Sequence, residues 1–168
     1  RLYLDVRSVG MRPPTVSRSY AFQIGIADSH GVFRSWRARD TQDEGRMWAE
    51  FLDWLDEQGE VTLYAWRGEA VRRINLAVLS HLHLTHRLLP AAARVVDLCE
   101  AIRHRPYLPV HDYGLGEVAR LAGCEPARPD PDGLLCERNY LEWLSGGSDR
   151  LWEGIHGAGR DACLAMLG

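Results

Sequence analysis

The strongest constraint on the fold is a change of hydrophobic period about a quarter of the way along the chain. Residues 2–8, LYLDVRS, alternate apolar and polar side chains, which predicts a strand. Residues 19–28, SYAFQIGIAD, predict a second, and 32–38, VFRSWRA, a third after the turn at Ser29, His30 and Gly31. Strands this close in sequence predict an antiparallel meander. Beyond them Met47, Trp48, Phe51, Leu52 and Leu55 recur at helical spacing, so 43–57 predicts an amphipathic helix that Gly59 ends.

The segment VTLYAW at 61–66 is mostly apolar, as in a sheet interior. A helix is predicted over 69–82, with Val71, Ile74, Leu76, Ala77 and Leu79 on its apolar side. Pro90 predicts a break. RVVDLCEAIRH at 94–104 predicts a short strand running into a helix, and YGLGEVARLAG at 113–123 a helix with a glycine stop. Loops are predicted around Pro13 and Pro14, around Pro106 and Pro109, and over EPARPDPDG at 125–133. Short helices over 135–145 and 148–155 and a closing helix over 157–167 complete the order. Three antiparallel strands followed by alternating elements predict an α/β fold: a mixed five-stranded sheet, with parallel additions, flanked by helices.

At 168 residues one domain spanning 1–168 is expected. The chain opens on Arg1 and goes straight into a strand, which leads to the expectation of a domain from a longer, multidomain protein. It carries 20 basic residues, all arginine, against 23 acidic ones, for a net charge of −3. That balance excludes a strongly basic nucleic-acid coat protein and a polybasic membrane binder. It leaves open a nucleic-acid enzyme with its cations on one face. The all-arginine usage reads first as the mark of a GC-rich genome, with a preference for planar, bidentate phosphate contacts as the functional alternative.

No apolar run reaches the roughly 18 residues of a membrane span, and the start carries no signal-peptide pattern. Cys99, Cys124, Cys136 and Cys163 form no C-x-x-C pair, which argues against a cysteine zinc site and for a reduced, cytoplasmic protein. His81, His83 and His86 have spacing compatible with a metal, but the leucines between them fit the end of a helix and its turn.

Four acids stand near the ends of predicted elements: Asp5 on the first strand, Glu69 just after the fourth, Asp97 at the end of the fifth, and Asp161 on the last helix, five residues beyond His156. If the first and fourth strands are neighbours, Asp5 and Glu69 converge, and a closing helix across that edge brings Asp161 in. Clustered carboxylates repel unless a cation joins them. Mg²⁺ or Mn²⁺ suits such an all-oxygen site, and a pair of such ions drives in-line phosphodiester hydrolysis. Equally, each acid is an ordinary surface group or a helix cap.

These segments together resemble the ribonuclease-H-like superfamily, specifically the DnaQ-like 3′–5′ exonucleases that use four acidic residues (DEDD). LYLDVRS is similar to their opening strand, whose pattern is apolar-apolar-Asp-x-Glu. VTLYAWRGEAVRRINLAVL resembles the segment that supplies an acid soon after a strand. HGAGRDACLAML at 156–167 resembles the closing His-x-Ala-x-x-Asp-Ala helix. VVDLCEAIR and YGLGEVARLAGCEP resemble the linking region. The longer stretch between Gly123 and His156 is closer to the ribonuclease-H-like domains found beside RecB-type nucleases and helicases. That branch carries Tyr four residues before the final Asp, where this chain has Gly157.

The resemblance implies a nuclease acting on nucleic-acid ends, with Asp5, Glu69 and Asp161 holding Mg²⁺ or Mn²⁺ and His156 taking a proton from the attacking water. Asp97 is either a further ligand or a strand-end cap. Trp66 is either a stacking platform for a terminal base or a core residue, and Arg67, Arg72 and Arg73 either follow the phosphate backbone or form a solvated helix face. The implied partners are nucleic acid, a single-stranded end first, and other domains or subunits of a nuclease or helicase assembly, with no membrane.

One position departs from the family pattern. Where the family has Asp-x-Glu, this chain reads Asp5-Val6-Arg7. A unit-charge pair at about 4 Å in an effective dielectric of about 20 is worth roughly 4 kcal/mol, and here its sign is reversed. Even mostly screened, that is about a hundredfold or more in metal affinity. Three readings follow. The site is degenerate and the domain binds rather than cuts, or Arg7 contacts phosphate beside a single metal, or another acid such as Glu69 compensates.

Overall fold

The computed structural model describes residues 1–10, 19–103, 108–110, 113–124 and 134–167. The predicted loops at 13–14 and 125–133 lie outside them. Five strands form one sheet: β1 (Leu2–Val9), β2 (Tyr20–Asp28), β3 (Phe33–Arg37), β4 (Leu63–Ala65) and β5 (Val95–Asp97), in the order β3-β2-β1-β4-β5. β1 pairs antiparallel with β2, and β2 with β3. β4 joins β1 in parallel, and β5 joins β4 in parallel. This is the mixed sheet that the period change predicts.

Alternation along β1 sorts the two faces. Leu2, Leu4 and Val6 enter a core with Met47, Trp48, Phe51, Leu52, Leu55 and Ile74, from α1 (Thr41–Glu57) and α2 (Glu69–Ser80). The opposite face carries Tyr3, Asp5, Arg7 and Val9 and is covered by α6 (Leu134–Leu144) and α7 (Asp149–Leu167). α4 (Leu98–Arg103) and α5 (Leu115–Leu121) complete the helices between β5 and α6, around α3 (Thr85–Ala93) before them. Asp40 caps α1, accepting the backbone N–H groups of Gln42 and Asp43 at 2.8 Å each.

Three expectations need correction. Pro90 does not break the chain; it lies inside α3. A single 3₁₀ turn, Leu82–Leu84, leads into this helix, and Leu84, Leu88 and Ala91 bury one continuous stripe across the proline. That burial outweighs the one lost backbone bond. The separate helices expected over 148–155 and 157–167 are one helix, α7. Its glycines are not stops, and one of them, Gly159, is a site of close approach to Gln23. β4 spans three residues rather than six, and pairs with β1 only through Leu2↔Leu63 and Tyr3↔Tyr64.

Candidate functional site at the end of the central strand

Because β4 is short, β1 runs on past it and a small cleft opens between their carboxyl ends. Asp5, Trp66, Glu69, Leu115 and Met166 line it. The sequence expectation that Asp5 and Glu69 converge on one edge is met. Their chemistry differs from the expected one.

Arg7 lies two residues beyond Asp5 on the same face of β1, and its side chain turns back along the strand. Its Nε donates to Asp5 Oδ2 at 2.7 Å. Nη1 reaches Cys136 Sγ at 2.8 Å, and Nη2 donates to the Ala158 carbonyl at 3.1 Å. The Arg7 side chain is 11% exposed and that of Asp5 24%. The guanidinium is thus a fixed internal cation, clamped between β1, α6 and α7. A bulge between Arg7 and Ser8 in the β1–β2 pairing lies beside it. Bulges of this kind re-aim side chains next to functional sites.

Glu69 opens α2 and faces Arg73, whose Nη2 lies 2.6 Å from its Oε1, with Arg72 at 3.7 Å. Arg73 also donates to Ser19 Oγ at 3.3 Å, so it is turned inward rather than offered to a nucleic-acid backbone. Arg72 is exposed. Trp66 donates its indole N–H to the Tyr113 carbonyl at 3.1 Å and packs, partly buried, on the cluster around Tyr3 while lining the cleft.

Asp97 is a cap. Its Oδ1 accepts the backbone N–H groups of Arg67 at 3.0 Å, Cys99 at 2.9 Å and Glu100 at 3.3 Å. The first of these holds the turn between β4 and α2, where Arg67 takes a left-handed φ of 56° and Gly68 follows at 63°. A non-glycine residue there stores about 1 kcal/mol or more, and Asp97 is what keeps it in place.

Asp161 and His156 both lie on α7. The residue of α7 set against Asp5 is Cys163, which is fully buried. Burial pushes its thiol well above the usual range, and the Asp5 carboxylate adds to that. Two residues along a helix are about 200° apart, so Asp161 projects away from the direction that Cys163 takes. His156 packs edge-on against Phe33, ring centres 5.1 Å apart.

Among the described residues no three of the His, Cys, Asp and Glu side chains are gathered where they would hold a metal ion. The structure therefore does not bring Asp5, Glu69 and Asp161 together as a ligand set. The donors also do not fit a divalent cation chemically: Asp5 and Glu69 are each bonded to a guanidinium, and Asp97 is committed to three backbone N–H groups. Of the histidine motif, His81 bonds Glu44 and His83 packs beside it.

A run of arginine–tryptophan stacks is not legible in the sequence. Arg34 lies 5.5 Å from the ring centre of Trp54, Arg37 5.4 Å from Trp152 and 5.8 Å from Trp143, and Arg39 5.3 Å from Trp143. The only sequence signal is the spacing of arginines through FRSWRAR; the tryptophans come from distant helices.

The family model described as RNase_H superfamily (RNase_H_2) matches residues 2–167. The chain belongs to the ribonuclease H superfamily, and its five-stranded mixed sheet flanked by helices is that fold. No curated protein matches it. No helix among the described residues is long and apolar enough to cross a membrane.

Proposed function

We propose that this domain is a nuclease-derived module of the DnaQ-like type that binds single-stranded nucleic acid without cutting it, beside other domains or subunits of a nucleic-acid-processing assembly. The observation that carries the reading is the 2.7 Å pair between Asp5 and the largely buried Arg7. Arg7 supplies the positive charge that a carboxylate at that strand end needs, and supplies it covalently. A divalent ion approaching Asp5 meets a resident cation that has no open route into solvent. Glu69 also pairs with a guanidinium, that of Arg73, although its own side chain is exposed. Family membership supports nucleic acid as the ligand. The order of Asp5, Asp97 and the His156–Asp161 segment supports kinship with the exonuclease branch.

The test is a cleavage assay on end-labelled single- and double-stranded DNA and RNA with Mg²⁺ or Mn²⁺. The expected result is no cleavage, with single-strand binding unchanged by EDTA. Arg7→Glu is expected to gain divalent-ion binding by calorimetry. Metal-dependent cleavage that disappears in Asp5→Ala and Asp161→Ala overturns the reading and makes the domain an enzyme.

A further inference from the structure

We infer that the outer edge of the sheet, β3 and the two residues after it, is the track that holds the phosphate backbone of single-stranded nucleic acid, and that it carries more of the affinity than the cleft at Asp5. The inference rests on the nucleic-acid-binding reading above and deepens it.

Arg34, Arg37 and Arg39 are exposed, and among the described residues none of their guanidinium groups meets a carboxylate or any other hydrogen-bond acceptor. Each guanidinium carries five N–H donors. Other arginines of the chain are spent within the protein: Arg7 on Asp5, Arg46 on Asp43 and Glu50, Arg73 on Glu69, Arg87 on Asp53 and Asp56. Two acids close to Arg39 in the chain are also engaged, and Asp43 accepts the Arg39 backbone N–H. Asp43 meets Arg46, and Asp40 faces the N-terminus of α1.

The three cations are held in place by stacking on Trp54, Trp143 and Trp152. Stacking over an indole fixes the plane of a guanidinium and leaves its donor rim free. Less side-chain freedom is then lost when an anion binds. Strand alternation puts Arg34 on the α1 face and Arg37 on the α7 face, so the charges flank the edge on both sides. At about 3.3 Å per residue, Arg34 to Arg39 covers roughly 16 Å, a length that meets several phosphates. Guanidinium planes also accept unstacked bases, which favours a single strand. In a chain of net charge −3, a row of unpaired cations on one edge is a polyanion site.

The test is fluorescence anisotropy with labelled oligothymidylate across a salt series, using the full chain. Single-strand contacts contribute about 0.7 each to the slope of log K against log salt. R34Q/R37Q/R39Q is expected to lower that slope by about 2 and to weaken binding at least tenfold at low salt. Binding is expected to quench tryptophan emission in the parent. R34K/R37K/R39K keeps the charge, and its slope is expected to stay near the parent's; it also serves if the glutamine variant does not fold. A folded glutamine variant with the parent's affinity and slope overturns the edge track while leaving nucleic-acid binding intact. So does polyglutamate competing as well as oligothymidylate. A parent that binds no oligonucleotide removes the functional reading itself.

Discussion

Gln23 on β2 and Gly159 on α7 meet so closely that a β-carbon at 159 would stand 2.9 Å from Gln23 Oε1. The glycine is what lets the helix settle onto the sheet beside the Arg7 clamp. Gly159→Ala is expected to destabilise the fold by about 1–3 kcal/mol through overpacking, read from the urea midpoint at unchanged slope. Gln23 is 1% exposed, and neither of its amide atoms has a hydrogen-bond partner. Gln23→Met removes that cost at similar volume and is expected to raise stability by about 1 kcal/mol. A loss in Gln23→Met would instead reveal a buried partner for the amide.

Arg7→Met leaves Asp5 without its cation and removes one donor each from Cys136 and the Ala158 carbonyl. The expected loss is about 2–3 kcal/mol, somewhat less than for fully buried pairs because Asp5 is a quarter exposed. Asp5→Asn combined with Arg7→Met is expected to recover part of it. Thermal unfolding of the two single variants and the double variant measures the coupling.

Glu44 ties three elements together from inside α1. Its Oε1 accepts the Ala21 N–H at 2.7 Å and the Trp48 indole N–H at 3.4 Å, and its Oε2 meets His81 Nε2 at 3.1 Å. Glu44→Ala strands all three buried groups and is expected to cost about 3 kcal/mol or more. Glu44→Gln keeps the Oε1 bonds and is expected to cost less. Chemical denaturation of both variants checks the order.

Alkaline pH is expected to destabilise the protein. Burial raises the Cys163 thiol and the Tyr20 and Tyr140 phenols above their ordinary values, about 8.5 and 10. Folding favours their neutral forms, so this contribution is complete below the unfolded values. It is lost as pH rises above about 8.5 for the cysteine and about 10 for the tyrosines. Denaturation midpoints from pH 7 to 11 read the decline, and Cys163→Ala is expected to flatten its first part.

Most of the sheet is legible because period is a local property: LYLDVRS and SYAFQIGIAD announce their strands with no help from the rest of the chain. α3 and the continuity of α7 are not, since Pro90 and the glycines of α7 weaken a helix locally and are outvoted by stripes buried against distant residues. The site divides along the same line. That Arg7 follows Asp5 by two residues, where the DnaQ-like pattern it resembles has Glu, is written in the sequence. That it bends back onto Asp5, and that Cys136 and Ala158 receive its other two nitrogens, depends on chain more than 120 residues away. Asp97 is a cap because three backbone N–H groups converge on it, a fact of turn geometry that no spacing rule reports.

A sheet of five strands ordinarily has two borders. Here β4 stops after pairing with Leu2 and Tyr3, while β1 continues to Val9 bonded to β2 alone. The fold therefore owns a third border, interior to the sheet, made by a difference in strand length rather than by any side chain. Substitutions at Asp5 or Arg7 would change what lies in that notch and leave the notch itself standing, because the room there is set by strand length and not by the side chains that line it.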